Sequence, residues 1–158
     1  MINRMRLIRS LCGVLAWIGW SCTDNAVIDR NVPIPDHAWY YDHQPKLTVR
    51  ITDTITRYNL YLNLRHTSDY KYANVYVLLH QTRPDGRDTT ERIELRLAES
   101  DGRWLGRGGG SVYTHQQLIR ESFRFPDTGE YTFTIEQYMR ENPLRAVTDI
   151  GLRISPSN

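Results

Sequence analysis

Tyr58-Asn59-Leu60-Tyr61-Leu62-Asn63-Leu64-Arg65 decides the fold. Tyr58, Leu60, Leu62 and Leu64 fall on one side of an extended chain, and Asn59, Tyr61, Asn63 and Arg65 on the other. Side chains alternate across a β-strand, so this pattern predicts one face on a core and one toward solvent. Outward from it the same period recurs. Leu47, Val49 and Ile51 form one row, and Val75, Val77 and Leu79 another. Tyr76 and Leu78 are apolar too, which suits a strand covered on both faces. Further rows are Ile93, Leu95, Leu97; Tyr131, Phe133, Ile135; and Ile150, Leu152, Ile154. Such short alternating runs belong to antiparallel sheets.

Turn chemistry falls between the runs. Pro84-Asp85-Gly86 reads as a hairpin loop, and Ser100-Asp101-Gly102 and Asp127-Thr128-Gly129 repeat the signal. Glu141-Asn142-Pro143 closes the Tyr131 strand. Residues 112–121, VYTHQQLIRE, are the one stretch with a helical reading. The prediction is an all-β chain: a single antiparallel β-sandwich, jelly-roll-like, after a cleaved signal peptide.

The first 22 residues set the compartment. Arg4, Arg6 and Arg9 precede an uncharged run from Leu11 to Trp20, then small Ser21 and Cys22. A basic head, a short apolar core and a small residue make a secretory signal. The run is about half of the roughly 20 residues a membrane-spanning helix needs. A cysteine after the small residue predicts a lipoprotein, with Cys22 acylated at the new N-terminus. Gly19 and Trp20 depart from the usual lipoprotein box, so an ordinary cleaved signal is the alternative. Each buried acyl methylene contributes about 0.8 kcal/mol, and stable anchoring takes more than one chain. The domains expected are residues 1–21 as signal peptide, 22–36 as lipidated N-terminus and extended tether with Pro33 and Pro35, and 37–158 as the sandwich.

Losing residues 1–21 removes three arginines and no acid, which takes the formal charge from +2 to −1. A near-neutral domain lacks the basic stripe that nucleic acid requires. Cys12 leaves with the signal and Cys22 carries lipid, so the folded body has no thiol for a disulfide, a zinc site or a nucleophile. Trp104-Leu105-Gly106-Arg107-Gly108-Gly109-Gly110 is glycine-rich, but no Lys-Ser or Lys-Thr follows. It reads as a loop that needs positive φ or close backbone approach, not as a phosphate cradle. His37, His43, His66, His80 and His115 form no HxH or HExxH pattern, and Ser111 sits in no nucleophile elbow. Neither an enzyme nor a metal or cofactor site is expected.

Recognition chemistry is richer. The loop from Arg65 to Asn74 holds Tyr70 and Tyr72, and Trp104, Tyr113, Gln137, Tyr138 and Arg140 add to it. Tyrosine and arginine supply contact area and directional hydrogen bonds. The candidate binding surface is Arg65, Tyr70, Tyr72, Asn74, Trp104, Tyr113 and Arg140. Two ligands suit it: an envelope protein, or a glycan stacked on aromatic faces. Tyrosines capping the sandwich core are the alternative for many of these positions.

Several motifs in order carry a resemblance. They are Cys22; Tyr58-x-Leu60-x-Leu62-x-Leu64-Arg65-x-Thr67-x-x-Tyr70-x-Tyr72-x-Asn74; and Asp101-Gly102-x-Trp104-Leu105-Gly106-x-Gly108. Gly129-x-Tyr131-x-Phe133-x-Ile135-x-Gln137-x-Met139-Arg140 and Asn142-Pro143-Leu144-x-x-Val147-x-Asp149-Ile150-Gly151-Leu152 follow. Together they resemble the gliding-motility lipoprotein family GldH over most of the mature chain. The resemblance implies a small envelope lipoprotein of gliding bacteria and non-motile relatives, associated with surface motility and the linked protein-secretion machinery. It carries over no catalytic residues. The function expected is a non-catalytic binding or assembly component, membrane-anchored through Cys22, with envelope proteins of a gliding or secretion complex as partners. A carbohydrate-binding module is the alternative.

Overall fold

The computed structural model describes residues 26–157; the expected signal peptide, Cys22 and the start of the expected tether lie outside the described residues. The strands in chain order are β1 (Ile28–Pro33), β2 (Ala38–Trp39), β3 (Lys46–Ile51), β4 (Tyr58–Thr67), β5 (Asn74–Thr82), β6 (Asp88–Arg96), β7 (Val112–Phe123), β8 (Gly129–Gln137), β9 (Leu144–Arg145) and β10 (Val147–Pro156). One four-stranded sheet runs β1-β10-β4-β7 and a second runs β3-β8-β5-β6; β2 and β9 form a short ribbon. Every pairing is antiparallel.

The pairing is nested. β1 lies beside β10, β3 beside β8, β4 beside β7 and β5 beside β6. One long antiparallel hairpin is thus rolled up so that its pairs are shared between two sheets, which is the jelly roll. The alternating rows read from the sequence supply the core between the sheets. Leu60, Leu62 and Leu64 of β4 and Ile150, Leu152 and Ile154 of β10 are fully buried, as are Val75, Val77 and Leu79 of β5 and Tyr131, Phe133 and Ile135 of β8. Burying a large apolar side chain contributes about 1.5–3 kcal/mol, so these four strands dominate stability. Phe125 joins them, its ring 4.6 Å from that of Tyr131 and 5.4 Å from that of Tyr58. The hairpin expected at Pro84-Asp85-Gly86 joins β5 to β6, with Gly86 at φ +81 and its N–H donating to Arg83 O.

Two expectations are corrected. Residues 112–121 are not helical but lie in β7, paired with β4 from Thr67↔Val112 onward. Its inward row holds His115, Gln117 and Arg120, so the apolar alternation that marks a strand is missing. Gln117 and Arg120 of that row face the β5-β6 edge rather than the middle of the core. Gln117 Nε2 donates to Glu94 O at 3.0 Å and its Oε1 accepts Arg96 N–H at 3.2 Å. Arg120 reaches Gln81 Oε1 at 2.6 Å and Glu91 Oε2 at 2.8 Å. These side chains close the gap between the two edge strands.

The second correction concerns the expected tether. Residues 28–33 are β1, with Ile28 opposite Ile154 and Pro33 opposite Asp149, so the sandwich starts well before residue 37. Ile28 and Val32 pack against the core while the residues between them are exposed. An edge strand tolerates polar residues and a terminal proline, which gives it the composition of a linker.

Candidate functional site

Register divides the molecule into two poles. β4 runs from Tyr58, opposite Pro156, to His66, opposite Val147. The connections 52–57, 83–87 and 124–128 lie at the Tyr58 end with both termini of the described chain. Segments 34–45, 68–73, 97–111 and 138–146 lie at the other end. At about 3.4 Å per residue, the strands separate these poles by about 30 Å. All seven predicted surface residues map to the second, distal pole; six of them divide there into three environments, and Asn74 stands apart, bonded to Glu94.

The first is a buried aromatic cluster around His66. Its ring centroid lies 4.5 Å from that of Trp104, 5.1 Å from Tyr70 and 5.6 Å from Tyr113. His66 Nδ1 lies 2.8 Å from Thr67 O and its Nε2 lies 2.9 Å from His115 Nε2. A carbonyl only accepts, so Nδ1 carries the His66 proton and Nε2 is left as acceptor for the His115 Nε2–H. Burial lowers the pKa of both rings, that of His115 to about 4 with His66 adding to the effect. Gly106 closes this cluster, since a Cβ there would sit 2.6 Å from His115 Nε2. The glycine run is therefore a loop folded onto β7, with Gly108 at φ +139.

The second environment is an open groove of about 930 Å³ on the outer face of the β3-β8-β5-β6 sheet. Tyr72 and Tyr76 line it, with Arg92 from β6, Glu136 from β8, Tyr138 and Arg140 from the turn beyond, and Tyr41 opposite. Tyr41 and Tyr72 are fixed by their polar ends. Tyr41 O–H donates to Met139 O at 2.8 Å and Tyr72 O–H donates to Glu141 Oε2 at 2.7 Å. Arg92 stacks over the Tyr76 ring at 5.3 Å. The buried Gln137 shapes the floor: its Nε2 donates to Glu141 O and its Oε1 accepts Met139 N–H. Tyr41, Tyr72 and Tyr138 keep 39, 37 and 51% of their surface exposed. Fixed aromatic faces beside two guanidinium groups lose little side-chain freedom on contact, which favours binding.

The third environment holds Arg65 alone, on the outer face of the other sheet. Its Nη2 pairs with Asp149 Oδ1 at 2.7 Å across the strand pair.

Of the predicted residues, then, only Tyr72 and Arg140 meet in the groove. Tyr70 is corrected: it is 4% exposed, with its hydroxyl bonded to Asn74 O, and belongs to the core rather than to a contact surface. Trp104 and Tyr113 are half-buried around His66, and Asn74 Nδ2 donates to Glu94 Oε1 at 2.6 Å. Sequence reasoning missed Tyr41, Tyr76 and Arg92 as groove residues. Tyr76 and Arg92 stand on neighbouring strands, and only pairing places them together. Among the described residues no three His, Cys, Asp or Glu side chains converge as a metal-binding group.

Comparison with known proteins agrees with the motif reading. The GldH lipoprotein family model matches residues 26–154. A gliding motility lipoprotein GldH homolog of Christiangramia forsetii is 30% identical over 145 residues, covering 87% of this chain and 88% of that one. The gliding motility lipoprotein GldH of Flavobacterium johnsoniae is 27% identical over 142 residues, covering 85% of this chain and 87% of that one.

Proposed function

The chain belongs to the GldH lipoprotein family, and from that premise we propose that it is an envelope lipoprotein that binds other envelope proteins of a gliding or secretion apparatus. Acylated Cys22 holds it on a membrane, and the tyrosine groove is the contact surface. One observation carries this reading: the chain enters the sandwich at one pole while the groove lies at the other. A domain anchored at its first strand and open at its far end presents that end away from the membrane. The groove has the Tyr and Arg composition of binding hot spots, and the Tyr41 and Tyr72 rings are already held in place by Met139 and Glu141. Recovery of partners from detergent-solubilised envelope, compared between wild type and Tyr72→Ala/Arg140→Ala, tests it. The variant is expected to fold normally and to lose its partners.

A glycan is the second reading. The exposed rings of Tyr41, Tyr72 and Tyr138 give flat apolar platforms, and Arg92 and Glu136 offer hydrogen bonds to hydroxyls. Retardation of the soluble domain in polysaccharide gels, abolished by Tyr138→Ala, supports this reading; free migration across a broad panel removes it.

A further inference from the structure

The pole opposite the groove carries an apolar tip that the core does not use. Ile55 is 79% exposed, the highest value among the large apolar side chains of the described residues. It stands in the connection 52–57, and its presentation is built rather than accidental. Asp53 Oδ1 accepts the N–H groups of Ile55 at 2.9 Å and Thr56 at 2.6 Å, while Thr56 O–H donates to Asp53 Oδ2 at 3.0 Å. These bonds satisfy the polar groups of the turn from within and leave the Ile55 side chain outward. Arg57 follows, with its backbone carbonyl accepting Ser157 N–H and its Nη1 donating to Ser122 O.

Chain connectivity says what this tip faces. Val27 N–H donates to Ile154 O, and Ile28 stands opposite Ile154, so residues before Val27 leave the sheet at the same end as 52–57. Cys22 is five residues before Val27, a reach of at most about 18 Å even when fully extended. With lipid on Cys22, this pole is held within that distance of the bilayer. Val27, itself 42% exposed, and exposed Arg124 belong to the same pole. Asp127 is bonded to Arg83 there, and Asp85 to Arg87.

We propose that connection 52–57 is a second, non-covalent membrane contact: Ile55 enters the boundary between headgroups and acyl chains beside the acylated N-terminus, with Arg57 and Arg124 at headgroup level. The partner is a lipid bilayer. One lipidated residue on a short leader leaves a domain free to tumble. A second contact fixes its tilt and holds the groove pointing away. This inference rests on the anchoring reading above.

The thiol-free body makes the test clean, because one introduced cysteine is the one free thiol of the acylated protein. Ile55→Cys and Tyr72→Cys are each labelled with an environment-sensitive fluorophore, and the acylated full-length protein is reconstituted in vesicles of phosphatidylcholine and phosphatidylethanolamine. Flotation reports anchoring. The label at position 55 is expected to shift to the blue and to be quenched several-fold more by lipid-borne nitroxide than the label at 72. Floating protein with both labels equally aqueous overturns this inference alone. Protein that fails to float overturns the anchoring reading and this inference with it.

Discussion

His66 and His115 meet Nε2 to Nε2 at 2.9 Å, at the point where β4 and β7 lie under the glycine loop. The contact requires at least one ring to be neutral, because two imidazolium groups present only donors to each other, and burial disfavours the charge on either. Arg96 and Arg107 line the surface beside His115.

Stability should therefore fall with acid in a defined window. The unfolded histidines titrate near 6.5, whereas His115 in the fold titrates at about 4. Between those values the unfolded chain binds more protons, so stability is complete above about 6.5 and is lost progressively toward 4. The full loss is on the order of 3 kcal/mol for His115. Urea midpoints measured across this range check it. His115→Gln should flatten the slope above pH 5, where carboxylates contribute little; an unchanged slope would assign the pH dependence to other groups.

Tyr70 and Tyr72 should behave oppositely. Tyr70 is buried against His66 and Trp104, so Tyr70→Ala is expected to cost about 3–5 kcal/mol. Tyr70→Phe loses one hydrogen bond to Asn74 O, worth about 1 kcal/mol. Tyr72→Ala should change the denaturation midpoint little, within about 0.5 kcal/mol. Chemical denaturation of the three variants separates core from surface.

Gly151 should not tolerate a side chain. A Cβ there would lie 2.2 Å from Arg30 O and 2.3 Å from Asn31 Oδ1. Asn31 crosses above Gly151 to accept a hydrogen bond from Asn63 Nδ2 at 3.1 Å, and Asn63 in turn accepts one from Gln116. Gly151→Ala must push β1 off the sheet or break this chain of amides, at a cost of about 1–3 kcal/mol. Amide exchange in β1 should quicken more than in β4, which hydrogen–deuterium exchange reads directly.

Gln117→Ala removes the side chain that pairs with the β6 edge. Glu94 C=O and Arg96 N–H then lose their partner, costing about 1 kcal/mol, and an open strand edge invites pairing with another molecule. Light scattering at rising concentration should show self-association in the variant and not in wild type.

The sandwich was legible because its central strands obey a strict apolar alternation. Leu60, Leu62 and Leu64 announce β4, and Tyr131, Phe133 and Ile135 announce β8, since the inward positions before His66 and Gln137 at their distal ends are filled by large apolar residues. β7 was illegible for the converse reason. His115, Gln117 and Arg120 face inward and are satisfied by polar groups on β5, β6 and β4, which no local pattern reveals. β1 resembles a tether in sequence because an edge strand with Pro33 at its end has a linker's composition. The site was half legible. Composition marked Tyr72 and Arg140, but Tyr76 and Arg92 become neighbours only through the register of β5 against β6. Tyr70 misled because a tyrosine two residues from an exposed one has no sequence mark of burial.

The most direct measurement is a mild-detergent pull-down of the full-length lipoprotein from its host envelope, with partners identified by mass spectrometry. Wild type is compared with Tyr72→Ala/Arg140→Ala and with Cys22→Ala. The account predicts that wild type recovers motility or secretion components, that the groove variant loses them while remaining folded and membrane-bound, and that the Cys22 variant leaves the membrane fraction. Recovery of the same components by the groove variant would contradict the claim that this protein works by binding through its distal groove.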